Sequence, residues 1–251
     1  MLDKLDLSTK AQELRELLGE DANSPVDIFS LVNQIEGLTL VFYPLGVNIS
    51  GMCVRDDEIK LIAINSSMSY GRQRFSLAHE FYHLYFDDKS GFNVCSKKLD
   101  PKSENEKCAD QFASYFLAPY KSLRTAIKRV AGNNPLSVRH VIALGQYFGI
   151  SHLAMFWRLV SEGYLSSDKL EEYSSGVISA AKYLGYDDKL YKPTPVELQK
   201  RTYGHYLKQV EELRQKDLVS PGKIDELLLD AFREDIAFGL DGDDQGGEAI
   251  D

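Results

Sequence analysis

The chain has 251 residues, of which 43% are hydrophobic, so it is long enough to bury the core of a catalytic domain and to carry smaller additions. Its 38 acidic side chains outnumber its 29 Lys and Arg side chains, and the resulting net charge of −9 argues against general nucleic-acid binding. No apolar signal segment opens the chain, no run approaches the roughly 18 apolar residues of a membrane span, and no CxxC pattern occurs among Cys53, Cys95 and Cys108. These features predict a cytoplasmic protein without a membrane span.

Two amphipathic segments and three β-rich segments come first along the chain. A helix is predicted after Ser8, with Gly19 just beyond its end, and a second helix after the pair Ser24-Pro25, which is typical of a helix start. Short β-rich runs follow, separated by turn-forming residues, at 38–43, 51–55 and 59–64. We expect these runs to form a small, twisted antiparallel sheet.

The most informative motif is His79-Glu80-Phe81-Tyr82-His83. Two histidines four residues apart on a helix lie about 40° apart around its axis, so both rings can reach one metal ion. Glu80 lies about 100° around from His79, where its carboxylate can reach a water on that metal without being a ligand. This HExxH pattern predicts His79 and His83 as zinc ligands and Glu80 as the catalytic base.

A catalytic zinc site needs a third protein ligand, since HExxH supplies only two. A third histidine at the spacing of the long zincin motif is excluded, because Lys89 stands at that position. A glutamate on a following helix is the other solution, and Glu106, Ala109, Asp110 and Ala113 share one helical face. We therefore predict Glu106 as the third ligand and Asp110 as the acceptor for the free ring N–H of a ligating histidine.

These residues also allow a purely structural interpretation, without a metal ion. His79 and His83 could be hydrogen-bonded histidines on a half-buried helix, and Glu106 could belong to a solvated charge run with Glu104 and Lys107. The correctly patterned second helix favours the metal site.

The motif residues also resemble a known family. The sequences IAIN at 62–65, RQRFSLAHEFYH at 72–83 and EKCADQFASYFLAP at 106–119 look like the ImmA/IrrE family of metallo-endopeptidases. Those proteins are zinc peptidases that cleave a helix-turn-helix transcriptional repressor, often in a prophage, mobile element or stress-response system. The resemblance covers roughly residues 8–120, with a small residue more usual at Tyr82 and Asn more usual at Asp110. It implies a zincin-like fold and a protein substrate of the repressor class.

The chain beyond Pro119 is less informative. Residues 141–155 are typical of a helix-turn-helix around Gly149, but the second helix begins with His152 and apolar residues instead of basic and amide side chains. We therefore favour a structural or protein-contacting role for this segment. Residues 186–196 indicate a connector, 202–218 and 223–237 a helical hairpin, and the Gly- and Asp-rich end a disordered tail.

These patterns predict an α+β fold with a zincin-like catalytic domain at 1–120, a helix-turn-helix-like segment at 121–172, a helical region at 173–239 and an acidic tail at 240–251. The predicted function is a zinc-dependent endopeptidase. One alternative is a catalytically idle zinc-fold protein that binds a repressor or an antitoxin, and the intact Glu80 disfavours it. Another is a DNA-binding regulator, which the acidic charge disfavours. For substrate binding, we expect residues 59–64 to form an exposed sheet edge beside the metal helix.

Overall fold

A computed structural model describes residues 3–87, 91–96 and 103–240 of the chain. The described residues confirm the predicted α+β class, with five strands and eleven α-helices. The strands are β1 (Leu38–Tyr43), β2 (Ile49–Arg55), β3 (Lys60–Asn65), β4 (Gly91–Ser96) and β5 (Arg201–Gly204). The helices are α1 (Lys4–Leu17), α2 (Tyr70–Phe86), α3 (Glu104–Leu117), α4 (Tyr120–Ala131), α5 (Val138–Phe148), α6 (His152–Ser161), α7 (Leu170–Ser174), α8 (Val177–Tyr183), α9 (His205–Gln215), α10 (Pro221–Asp230) and α11 (Glu234–Ala237). Among these described helices, none is both long enough and apolar enough to cross a membrane.

The strands form one mixed sheet in the order β4-β2-β3-β1-β5. β2 and β3 form an antiparallel hairpin, and the Asp56 carboxylate holds its turn by accepting the backbone N–H groups of the second and third residues that follow it. β1 lies on the other side of β3 and runs parallel to it, so the sheet is mixed where we had expected it to be antiparallel. The connection from β1 to β2 crosses the end of β3, where the Asn65 side chain donates to the carbonyls of Gly46 and Ile49. This crossing explains the parallel pair.

The described edges of the sheet are β4 and β5. β3 lies between β2 and β1, so the prediction that residues 59–64 form an exposed substrate-binding edge is wrong. Residues 91–96, for which the sequence analysis predicts no strand, pair with β2, and residues 201–204, where we expected a helix to begin at Thr202, pair with β1. Both additions pair segments far apart along the chain, which local periodicity does not reveal.

The segment after α1 contains one 3-10 turn (Ser30–Gln34) in place of the predicted second α-helix. Two buried arginines use the carbonyl groups that such a helix would need in its first turn. Arg15 donates to the carbonyl of Ser24, and Arg74 donates to that of Val26. Side-chain hydrogen bonds therefore replace the backbone hydrogen bonds of a helix here.

Helix α2 lies between the sheet and α3, and most of its side chains are buried. α3 packs against it through Ala109 and Ala113, whose side chains are fully buried and small enough to let the two backbones approach closely. Tyr82 fits into this contact with its ring 5.7 Å from that of Phe112. The motif-bearing helix is thus fixed on two sides.

Where the sequence predicts a helix-turn-helix, α5 and α6 are joined through Gly149, which is in the left-handed conformation at φ 64° and ψ 35°. The turn packs against the start of α2. Arg74 donates from Nε to the carbonyl of Gly149 at 2.9 Å, and a Cβ atom at Gly71 would lie 2.8 Å from the backbone nitrogen of Ser151. This close contact places α6 beside the motif helix. One buried core includes residues from Leu7 to Tyr173, on both sides of residue 120, and the division into domains stays a prediction.

The helices α9 and α10 form the expected hairpin around a small second core of Val210, Ile224 and Leu228. This hairpin is attached to the sheet through β5, and the backbone N–H of Tyr206 donates to Thr39 Oγ1 at 3.1 Å. Apart from Leu240, the predicted acidic tail lies outside the described residues.

Candidate metal centre

Helix α2 presents His79 and His83 side by side, one helical turn apart. Their ring centroids lie 5.0 Å apart and their Nε2 atoms 3.2 Å apart. Both residues are buried, at 7% and 2% exposure. Their facing nitrogens thus point into one protected space.

Helix α3 brings Glu106 to the same space. The helix begins after Ser103, whose hydroxyl accepts the backbone N–H of Glu106 at 3.2 Å and so fixes the first turn. Glu106 Oε2 lies 3.2 Å from His79 Nε2, and Oε1 lies 3.4 Å from His83 Nε2. Ligand atoms of the three residues all lie within 4.8 Å of one another. The structure therefore brings together the three side chains that the sequence predicts as ligands.

The outer ring nitrogens of both histidines contact carboxylates. His79 Nδ1 lies 2.9 Å from Asp110 Oδ1, where the sequence predicted this acceptor, and His83 Nδ1 lies 3.1 Å from Asp87 Oδ2. We did not predict Asp87 in this place. It lies just beyond the end of α2, and Asn105 donates to the same carboxylate oxygen at 2.9 Å. Its spacing of four residues from His83 is the only sequence signal for it.

The charges of the site favour a shared cation. Burial lowers the pKa of His83, but the hydrogen bond to Glu106 helps to raise that pKa above its usual value overall. Burial raises the pKa of Glu106, but hydrogen bonds from His79 and His83 outweigh it and lower that pKa far below its usual range. The Glu106 carboxylate and the two ring nitrogens thus stabilise a positive charge that lies between them.

The donor set fits zinc. Because each Nδ1–H can donate to a carboxylate, each Nε2 is left with its lone pair directed at the other ring. Two such lone pairs 3.2 Å apart repel each other unless a proton or a metal ion lies between them. Two imidazole nitrogens and a carboxylate oxygen are the usual ligands of a catalytic zinc ion with one open position.

Glu80 is fully buried and lies against β2. A Cβ atom at Gly51 of β2 would lie only 2.6 Å from Glu80 Oε1, so the glycine leaves the space that this carboxylate occupies. Sequence reasoning missed Gly51. A glycine inside a β-rich run was the available signal, since such residues often mark a close approach.

A cleft of about 590 Å³ opens beside the metal centre, between α2, α3 and α6. His79, Glu106 and Asp110 line one part of it, and Leu153 and Trp157 of α6 line another. Its volume lies within the usual range of ligand sites, about 300–1,000 Å³. A polypeptide side chain can therefore be held next to the proposed ligands.

Residues 34–159, about half of the chain, match the model of the peptidase family described as the IrrE N-terminal-like domain. The chain belongs to this ImmA/IrrE family. The match includes the HExxH motif, Glu106 and the helix-turn-helix, and it confirms the resemblance found in the sequence.

Among the relatives of this ImmA/IrrE-family chain is the radiation response metalloprotease IrrE of Deinococcus deserti. The two are 42% identical over 57 residues, which is 23% of this chain and 19% of that protein. A solved structure of a Mycobacterium tuberculosis transcriptional regulator shows 17% identity and a TM-score of 0.44, over 62% of this chain and 47% of that one. The chain thus matches less than half the length of either relative.

The helix-turn-helix of this ImmA/IrrE-family chain turns its second helix toward the cleft. Leu153 and Ala154 of the first turn of α6 line the cleft, and His152 is buried with Nε2 2.6 Å from the carbonyl of Tyr173. A DNA-reading helix would present polar side chains in its first turn to a groove. The structural or protein-contacting role that the residue types of α6 predict stays a prediction.

Proposed function

We propose that the chain is a zinc-dependent endopeptidase. The observation that carries the proposal is the convergence of His79, His83 and Glu106 within 4.8 Å beside the buried Glu80, at the wall of an open cleft. Metal binding alone does not require Glu80, whereas peptide hydrolysis requires a base next to the attacking water.

Each side chain has a defined role in this proposal. His79, His83 and Glu106 hold zinc, which when bound polarises the scissile carbonyl and lowers the pKa of water. Glu80 accepts the proton of the attacking water and donates it to the leaving amine. Asp110 and Asp87 keep the two imidazole rings oriented with Nε2 toward the ligand space.

For the substrate, we propose a helix-turn-helix transcriptional repressor in the cytoplasm, acting in a prophage, mobile element or stress-response system. The support is the ImmA/IrrE resemblance of the motif residues. A segment has to enter a cleft bounded by three helices to reach His79 and Glu106, so the cleaved part of the repressor has to be locally unfolded or extended.

The test is a comparison of wild type with Glu80→Gln, incubated with the helix-turn-helix protein encoded beside its gene. We expect the variant to retain one zinc per chain and to lose cleavage, because Glu80 moves the proton and binds no metal. Glu58→Gln makes the same chemical change on the exposed β2–β3 turn and is the matched control.

Cleavage by Glu80→Gln within tenfold of wild type contradicts the assigned base. Binding of the repressor without any cleavage by the zinc-loaded wild type supports the alternative, in which the zinc fold serves only to bind a repressor or an antitoxin.

A further inference from the structure

We propose that α6 determines the specificity of the cleft, with Leu153 and Trp157 binding a large apolar side chain of the substrate next to the bond that is cut. The inference rests on the proposed function, because it takes the occupant to be a polypeptide whose backbone reaches the metal centre.

Leu153 and Trp157 are four residues apart on α6 and therefore share one face of the helix. They are 46% and 43% exposed, although most large apolar side chains of α6 are buried. Both line the same cleft as His79 and Glu106, and Phe75 of α2 adds a third apolar side chain to it. The exposed apolar pair is thus continuous with the metal centre.

Helix α6 holds this pair in a fixed position. Met155 and Phe156 anchor the opposite face in the core. Arg158 is 2% exposed, donates from Nη1 to Ser114 Oγ of α3 at 3.0 Å, and lies 4.1 Å from the ring centroid of Tyr115. A preformed apolar surface loses little conformational entropy when a ligand binds.

The chemistry of the two cleft walls decides the class of occupant. The α3 wall carries Glu106, Lys107 and Asp110, whereas the exposed side chains that α6 contributes to the cleft are Leu153 and Trp157. Arg158 of α6 also lines the cleft, but it is 2% exposed and its charge is paired with Glu162 at 3.2 Å. A charged side chain placed against Leu153 and Trp157 would lose hydration without gaining a partner from them. A long aliphatic or aromatic side chain gains contact with the indole and the isobutyl group. The expected occupant is therefore a Phe, Leu or Met side chain of the substrate. The polar backbone of the substrate next to this side chain lies at the metal centre.

The test uses two succinyl hydroxamates that chelate zinc and differ only in a benzyl or a methyl side chain, so no knowledge of the natural substrate is needed. Calorimetry on the zinc-loaded protein should show the benzyl compound binding about tenfold more tightly. Trp157 is the single tryptophan of the chain, and its emission should change as the benzyl compound saturates the site.

Trp157→Ala and Leu153→Ala should each reduce the benzyl preference to about twofold or less, while Trp157→Phe should keep most of it. Tyr164→Ala removes an aromatic side chain of similar exposure, 39%, that does not line the cleft, and should keep the full preference. An equal affinity of wild type for both compounds, or a preference unchanged in Trp157→Ala, overturns the inference.

The outcomes separate this inference from the proposed function. If the zinc-loaded protein prefers the benzyl compound but cuts no repressor, the proposed function is contradicted and the specificity role of α6 stands. If the protein cuts the repressor but shows no preference for the benzyl compound, the proposed function stands and the specificity role of α6 is contradicted. Failure to bind zinc refutes both.

Discussion

Substitution of Gly51 by alanine tests whether the sheet positions the catalytic base. The backbone of Gly51 is not in the left-handed region, so alanine is tolerated there without backbone strain. The added methyl group would lie 2.6 Å from Glu80 Oε1 and 3.2 Å from the carbonyl oxygen of Ala63. The clash is therefore concentrated on the one carboxylate that the reaction is proposed to need.

The size of the effect follows from this distance. An ordinary contact begins at 3.4 Å, so the Glu80 carboxylate has to retreat by about 0.8 Å unless the strand moves. A misplacement of about 1 Å at a catalytic group costs on the order of 100-fold in rate. We expect kcat for Gly51→Ala to fall by about 30- to 100-fold, equivalent to about 2–3 kcal/mol of transition-state stabilisation.

The assay is steady-state cleavage of an internally quenched peptide that the wild type hydrolyses, with zinc content measured on the same samples. Zinc should stay at one per chain, because Gly51 contacts the base and not a ligand. Gly222→Ala is the matched control, since a Cβ atom there meets nothing within 4 Å. Zinc-loaded Gly51→Ala with a kcat within twofold of wild type would refute the reasoning.

Five further substitutions probe the proposed ligands, their carboxylate partners and the support of α6. His79→Ala or Glu106→Ala should abolish tight zinc binding in elemental analysis, because two remaining protein ligands hold zinc weakly; a full zinc content in either variant contradicts the site. Asp87→Ala and Asp110→Ala should each weaken zinc affinity by about 10- to 100-fold in a chelator competition, and an unchanged affinity would show that the ring N–H contact does not matter. Arg74→Met should lower the free energy of unfolding by about 2–3 kcal/mol in a denaturant titration, since it leaves the carbonyls of Val26 and Gly149 without their charged donor; a loss below about 0.5 kcal/mol would contradict this.

The clustering of the proposed ligands was predictable because each part of the cluster is local in sequence. His79, Glu80 and His83 come from little more than one helical turn, and Glu106 and Asp110 share one face of the next helix. Gly51 was missed because it approaches Glu80 only after α2 packs against β2.

The sheet was only partly predictable. The runs at 38–43, 51–55 and 59–64 lie close to β1, β2 and β3, since β-rich composition marks strands without marking their partners. The order of the strands depends on Asn65, whose side chain donates hydrogen bonds to the loop between β1 and β2 that crosses the end of β3. A single buried amide leaves no periodic pattern in the sequence. The missing second helix likewise depends on Arg15 and Arg74, whose reach across the fold no local pattern shows.

The pairing of β5 with β1 has a consequence for synthesis of the protein. Tyr206 and Thr39, which are hydrogen-bonded at this junction, are 167 residues apart, so a nascent chain exposes the outer backbone of β1 until residues near 204 have left the ribosome. Unpaired strand backbone invites self-association. A recombinant fragment that stops at residue 159, where the family match ends, would keep the metal ligands but display the same unprotected backbone permanently.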